Sequence, residues 1–319
     1  MRLSSFLSII FAGFLLLSGD FSLLASSSQP QDRPTFKAES ELVVLHVSVR
    51  DRGGRYVAGL ERDAFTVIDD GKAQTLEMFS ADDVPASVGF LIDNSNSMRP
   101  NRERVIASAV EFAKHSHPKD EIFVVTFNET VRPAFGPVVV GEMNMGVFGS
   151  AMARAITARG MTAIYDGILD GLKRVGRGQH TRQVLIVVSD GGDNASLAPL
   201  EKVIRQVHES DATIYTVALI DPLTRDGDPG LLERLSQATG GESYQPRRVE
   251  EIAGAFEKIA RDIRSAYTLA YTPTVAAASS GEKGPRRRNV RVYVRPVDGR
   301  ALRVRTRSGY FEKAPGGTP

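Results

Sequence analysis

Four apolar runs separated by amphipathic stretches constrain this chain more than any other feature. They are "SVGFLID" (residues 87–93), "EIFVVTF" (121–127), "QVLIVVSDG" (183–191) and "TIYTVALI" (213–220), each bounded by polar turns. Such runs suit strands covered on both faces, as in a parallel sheet. Between and after them lie "RERVIASAVEFAKH", "AIYDGILDGLKRV", "LAPLEKVIRQVHES", "PGLLERLSQATG" and "VEEIAGAFEKIARDIRSA", with apolar residues at i, i+3, i+4 and i+7. That is the spacing of helices with one buried face. Strands alternating with helices of about 12 residues predict an α/β fold, a doubly wound and mostly parallel sheet of the Rossmann-like kind. The pattern covers residues 84–265.

On both sides the texture is β. In "ELVVLHVSVRDRGGRYVAGL", Val43, Leu45, Val47 and Val49 form one apolar face, and Leu42, Val44, His46 and Ser48 a mixed one. "DRGGR" reads as a hairpin turn. "AFTVIDDGKAQTLEMFS" repeats the form, with its turn at Asp70-Gly71. Residues 37–83 are thus a small β unit, too small to hold a core alone. Residues 266–312 return to β in "YTLAYTP", "RNVRVYVRP" and "ALRVRTRSGYF", the last two joined by a tight turn at Asp298-Gly299. The economical arrangement is one small β-sandwich, split in sequence, with the α/β domain inserted. The alternative is two separate β extensions. Residues 313–319 are expected to be a disordered tail.

The N-terminus has the layout of a secretory signal peptide over residues 1–28: Arg2, an apolar stretch at 6–17, and small residues at 25–28. The apolar stretch is short of the roughly 20 residues that span a bilayer. An uncleaved anchor is the alternative, because residues 21–25 extend the run. No other segment is apolar enough to span a membrane. With no Cys, the chain has neither disulfides nor the residue a bacterial lipoprotein anchor needs. The expected location is outside the cytoplasm: periplasmic, associated with the cell envelope, or secreted. Lys+Arg is 40 against Asp+Glu 38, and a net charge of +2 gives no reason to expect a nucleic-acid partner.

In an open parallel sheet, ligands bind beyond the carboxyl ends of the strands, near a topological switch point. Asp93, Ser95 and Ser97 follow the first apolar run, Asp190 follows the third, and Thr162 precedes a helix. All five offer hard oxygen, and no His or Cys joins them. Hard oxygens suit Mg²⁺, or Mn²⁺ or Ca²⁺, rather than zinc. Hydroxyls are neutral, so such a site leaves a cation short of negative charge and open to an external carboxylate. Each piece also has a plainer reading. Ser95 and Ser97 could cap a helix, and Thr162 could be an N-cap with Asp166 in its first turn. Asp193 and Asn194 read as a turn.

"DNSNSM", "GMTAIYDGI" and "VVSDGGDN" together resemble the metal-ion-dependent adhesion site of the von Willebrand factor type A fold, whose pattern is D-x-S-x-S, then T, then D. Asp93, Ser95, Ser97, Thr162 and Asp190 match it in order. The flanking β segments are similar to the bacterial von Willebrand factor type A-related proteins frequent in Acidobacteria. The resemblance implies that Ser95 and Ser97 ligate the cation directly. Thr162 and the two aspartates would do so directly or through water. It also implies a protein partner that supplies a Glu or Asp carboxylate to the metal.

The expected role is therefore a metal-dependent adhesion or interaction module, not an enzyme. Two alternatives stand beside it: a metal-dependent hydrolase or phosphotransferase, and a structural envelope protein whose metal stabilises the fold. A phosphatase of the strand-end aspartate type wants a second carboxylate two places on, where this chain has Ser95. A G-x-S-x-G elbow is absent. His46, His115, His117, His180 and His208 show no clustering with carboxylates. The basic run "GPRRRNVRVYVRP" reads as a solvated face.

Overall fold

The chain opens with β1 (Val43–Arg50), β2 (Phe65–Asp69), β3 (Lys72–Gln74) and β4 (Met78–Ser80). An alternating segment follows: β5 (Ala86–Asp93), α1 (Arg102–Lys114), β6 (Glu121–Phe127), β7 (Val131–Val139), α2 (Met145–Ala155), α3 (Ile164–Val175), β8 (Arg182–Ser189), α4 (Leu200–Glu209), β9 (Thr213–Ala218), α5 (Pro229–Thr239), β10 (Ser243–Tyr244) and α6 (Glu251–Ser265). It closes with β11 (Tyr267–Tyr271), β12 (Arg287–Val294), β13 (Arg303–Arg305) and β14 (Gly309–Phe311). The structure is a computed structural model that describes residues 42–220, 227–274, 286–296, 299 and 301–312. The expected signal peptide or anchor, the turn at Asp298 and the tail at 313–319 lie outside the described residues.

The central sheet has the order β10-β9-β8-β5-β6-β7 and is parallel except for β7. β5 and β6 are buried at every position, as apolar runs covered on both faces require. Alternate strand residues serve opposite cores. Val88, Phe90 and Ile92 meet α1, α2 and α6, while Leu91, Phe123 and Val125 meet α3, α4 and α5. α5 shows how the sequence sets a boundary. Asp228 caps it by accepting from the Leu231 amide, Pro229 occupies the first turn, and Gly240 ends it at φ 83°. Among the described residues, no helix is long and apolar enough to cross a membrane.

The flanking strands form two antiparallel sheets, β13-β1-β11-β4 and β14-β12-β2-β3, each drawing on both sides of the α/β segment. They enclose one apolar core that includes Leu45, Val47, Phe65, Val67, Leu269 and Val290. Asp70 and Gly71 turn β2 into β3 with φ of 46° and 78°.

Several expectations are corrected. α2 and β7 were not legible as elements. α2 contains Gly146 and Gly149, which lower helix propensity. β7 carries Pro133, Gly136 and Pro137 and is tolerated because it is the edge strand. The turn in "DRGGR" forms, but beyond it the pairing is a single bridge between Arg50 and Tyr56. "ALRVRTRSGYF" is not one strand. It breaks at residues 306–308 and passes from one sheet to the other. Arg307 holds the break, donating to the His208 and Ser210 carbonyls and pairing with Asp211. The basic run is not wholly solvated either. Arg288 is buried and paired with Asp69, because β12 alternates and Arg288 falls on its inward face.

Candidate metal centre

β5 and β8 are neighbours at the centre of the sheet. From β5 the chain steps outward to β6, and from β8 it steps outward the other way to β9. The crevice beyond their carboxyl ends is thus the switch point where such sheets bind ligands. Asp93 is the last residue of β5, and Asp190 directly follows β8. Both are buried.

The Asp93 carboxylate accepts from the Ser95 amide at 2.8 Å and the Ser189 hydroxyl at 2.6 Å. The Ser95 and Ser97 hydroxyls lie 3.1 Å apart. Burial pushes the Asp93 carboxyl up to about 6 against these hydrogen bonds, and nearby Asp190 adds to the rise. Neither aspartate forms an ion pair with the described residues. Among those residues, no three His, Cys, Asp or Glu side chains gather to hold a metal. A cation here would have to be completed by hydroxyl oxygens, and those are the groups present.

The plainer capping readings do not describe these hydroxyls. Ser95 precedes the 3-10 turn Asn96–Asn101 but makes no side-chain capping bond. The N-cap of α3 is Ala163, not Thr162. Thr162 is instead fixed by its backbone. Its amide donates to Asn194 Oδ1 at 2.7 Å, and its carbonyl accepts from the Asn194 and Ala195 amides. Asp166 is structural, accepting from the Leu197 and Ala198 amides at 2.8 and 3.0 Å. Asp193 accepts from the Ser196 hydroxyl, which in turn accepts from the Tyr165 and Asp166 amides. The 190s loop is therefore stapled to the start of α3, and it carries Asp190 to the side where Thr162 stands.

Five further residues hold the arrangement and were not singled out as site residues from sequence. Asn94 is the central staple. Its Oδ1 accepts from the Thr157 and Ala158 amides at 2.6 Å each, its Nδ2 donates to the Ala155 carbonyl, and its own carbonyl accepts from Arg159. Glu129 accepts from the Met161 amide at 2.8 Å, which holds its carboxyl below the usual range. Gly160, at φ 91°, leaves room for that carboxylate, since a Cβ there would stand 2.4 Å from Glu129 Oε2. Asn194 fixes Thr162, and Ser189 orients Asp93. The register explains Ser189: it pairs Ile92 with Val188, which sets the next residues, Asp93 and Ser189, side by side.

An open parallel sheet with a hydroxyl and carboxylate cluster at its switch point defines a class of ligand-binding α/β domain. The model of the von Willebrand factor type A domain matches residues 87–258, more than half of the chain, and the chain belongs to that family. Among solved structures, proximal thread matrix protein 1 from the mussel byssus is similar at TM-score 0.50 and 15% identity, over 61% of this chain and 51% of that one. The same mussel protein with a zinc-occupied MIDAS motif, its metal-ion-dependent adhesion site, matches at TM-score 0.47 and 15% identity, over 61% and 49%. A von Willebrand factor type A protein from Catenulispora acidiphila matches at TM-score 0.48 and 14% identity, over 84% and 73%. The chain thus spans about half the length of the mussel protein, and likeness at such identity shows the fold alone. No curated protein matches the chain in sequence.

Proposed function

We propose that this chain is a metal-ion-dependent protein-interaction module. A divalent cation, Mg²⁺ by the hardness of the donors and otherwise Mn²⁺ or Ca²⁺, would be held by Ser95 and Ser97 with Thr162, Asp93 and Asp190. The observation that carries this reading is the pair Asp93 and Asp190. They are two buried carboxylates at the ends of neighbouring strands, with the Ser95 and Ser97 hydroxyls following Asp93 and no cationic side chain paired to either carboxylate among the described residues. Buried charge needs a partner. Five donors leave one place of an octahedral cation's roughly six open, which a partner's Glu or Asp would fill. The chain's own residues orient and bind in this reading. The setting proposed is the cell envelope or the space outside the cell.

The test is capture of partners from a native envelope extract by the full chain in Mg²⁺. Partners should be released by EDTA and not captured by the Asp93→Ala variant. Partners that stay bound in EDTA would overturn the proposal in favour of a structural protein.

A further inference from the structure

Seven large apolar side chains are exposed among the described residues, and two of them stand at the edge of the candidate metal centre. Met161, 50% exposed, directly precedes Thr162. Leu197, 95% exposed, lies two residues beyond Ala195, whose amide donates to the Thr162 carbonyl. Scattered exposed apolar residues are ordinary and need no account. These two differ in how they are held. The Met161 amide is bound by the Glu129 carboxylate, and the Leu197 amide by the Asp166 carboxylate. Each apolar side chain is thus displayed from a backbone pinned by a carboxylate, on the loops that position Thr162 and Asp190.

The same edge also carries two arginines. Arg99, two residues past Ser97, and Arg159, three before Thr162, are both exposed, and neither forms an ion pair with the described residues. An anionic segment approaching the cation would gain attraction from both, set against the Glu129 carboxylate that holds the Met161 amide.

We propose that Met161 and Leu197 form an apolar contact beside the metal, and that the partner is an acidic peptide segment whose ligating Asp or Glu has an apolar residue within two positions of it. This rests on the reading of that edge as a carboxylate-binding metal site. The carboxylate would fill the cation's open position, and the apolar neighbour would cover Met161 and Leu197. Specificity then comes from the apolar position, because a lone carboxylate is too common to select a partner.

The test uses a phage-displayed random heptapeptide library against the full chain immobilised in Mg²⁺, with bound phage released by EDTA. The expected pool is enriched in Asp or Glu with Leu, Ile, Val, Met or Phe within two positions. In a Met161→Ser/Leu197→Ser variant, recovery of such peptides should fall about tenfold, while acidic peptides without an apolar neighbour are retained. The variant should keep its Mg²⁺-induced rise in melting temperature, which shows the fold and metal centre intact. Acidic enrichment with no apolar neighbour, or a pool unchanged by the double substitution, overturns this inference and leaves the metal-site reading standing. A wild-type chain that yields no EDTA-released peptide overturns both. Sedimentation of the wild type with anionic phospholipid vesicles, lost in the double variant, would overturn it in favour of a lipid surface.

Discussion

Three aspartates among the described residues are completely buried, and the chain treats them in two ways. In the flanking sheets, Asp69 is paired with Arg288 at 2.8 Å and accepts from the Tyr271 and Tyr310 hydroxyls. On α6, Asp262 accepts from Ser48 and Tyr215 and is paired with Arg50 and Arg305, so it ties the helix to β1, β9 and β13. Both carboxylates are neutralised by the chain's own arginines. Asp93 is as deeply buried, yet its described hydrogen-bond partners are a serine hydroxyl and an amide. Where the fold needs a buried carboxylate it supplies the counter-charge, and where it withholds one, a cation from outside is the natural complement.

The comparison can be broken by substitution. The largest effect is expected for Asp262→Ala, which removes the fully buried carboxylate shared by Arg50 and Arg305 and leaves Glu242 alone between them. Stability should fall by about 3–5 kcal/mol, read as a lower urea midpoint at unchanged slope. A loss under about 1 kcal/mol would mean that the network is not what holds α6 to the sheets. Next is the wild type in Mg²⁺. At a hundred times its Kd the cation should add about 2.7 kcal/mol, seen as a rise in melting temperature that EDTA reverses.

Smaller, and opposite in sign to Asp262→Ala, is Asp93→Asn in EDTA at pH 7.5. Asp93 titrates at about 6 in the folded chain against an ordinary 3.8, so the folded state holds the proton more tightly. Its contribution to stability is therefore full below about pH 4 and lost as pH rises through 6. Removing the charge should stabilise the metal-free chain by about 1–3 kcal/mol and abolish the Mg²⁺ response. For the same reason the wild-type Mg²⁺ response should shrink as pH falls below 6, where protons compete for Asp93. Smallest is Ser189→Ala, which frees the Asp93 carboxylate to turn. About a tenfold loss of Mg²⁺ affinity by calorimetry is expected. An unchanged affinity would show that the serine is a packing residue.

The α/β frame was legible because buried parallel strands read as unbroken apolar runs and amphipathic helices as a stripe. The candidate set of Asp93, Ser95, Ser97, Thr162 and Asp190 could be read because its pieces sit in three short segments, each recognisable by itself. What escaped was long-range or marginal. Asp69 and Arg288 are 219 residues apart in sequence, so although alternation puts Arg288 on the face of Val290 and Val292, nothing local names the carboxylate that neutralises it. Asp262 looked like one more polar residue on α6, because its partners come from three other strands. Asn94 occupies an unspecified place in the D-x-S-x-S pattern, and its role appears only when residues 155–159 fold against it. α2 and β7 escaped for want of a clear period, and each is held by its neighbours.

The pairing of β4 with β11 has a mechanical consequence. The chain enters the α/β segment after β4 and leaves it into β11, and these strands are joined by the pairs Ser80–Thr268, Phe79–Leu269 and Met78–Ala270. Tension drawn along the backbone therefore has a short path from one strand to the other, and everything between them lies slack until those pairs part. In a tether, the sheet that holds Asp93 and Asp190 would feel the pull last. Optical-tweezers extension should show one early release at this clamp, with the α/β segment unravelling only afterwards.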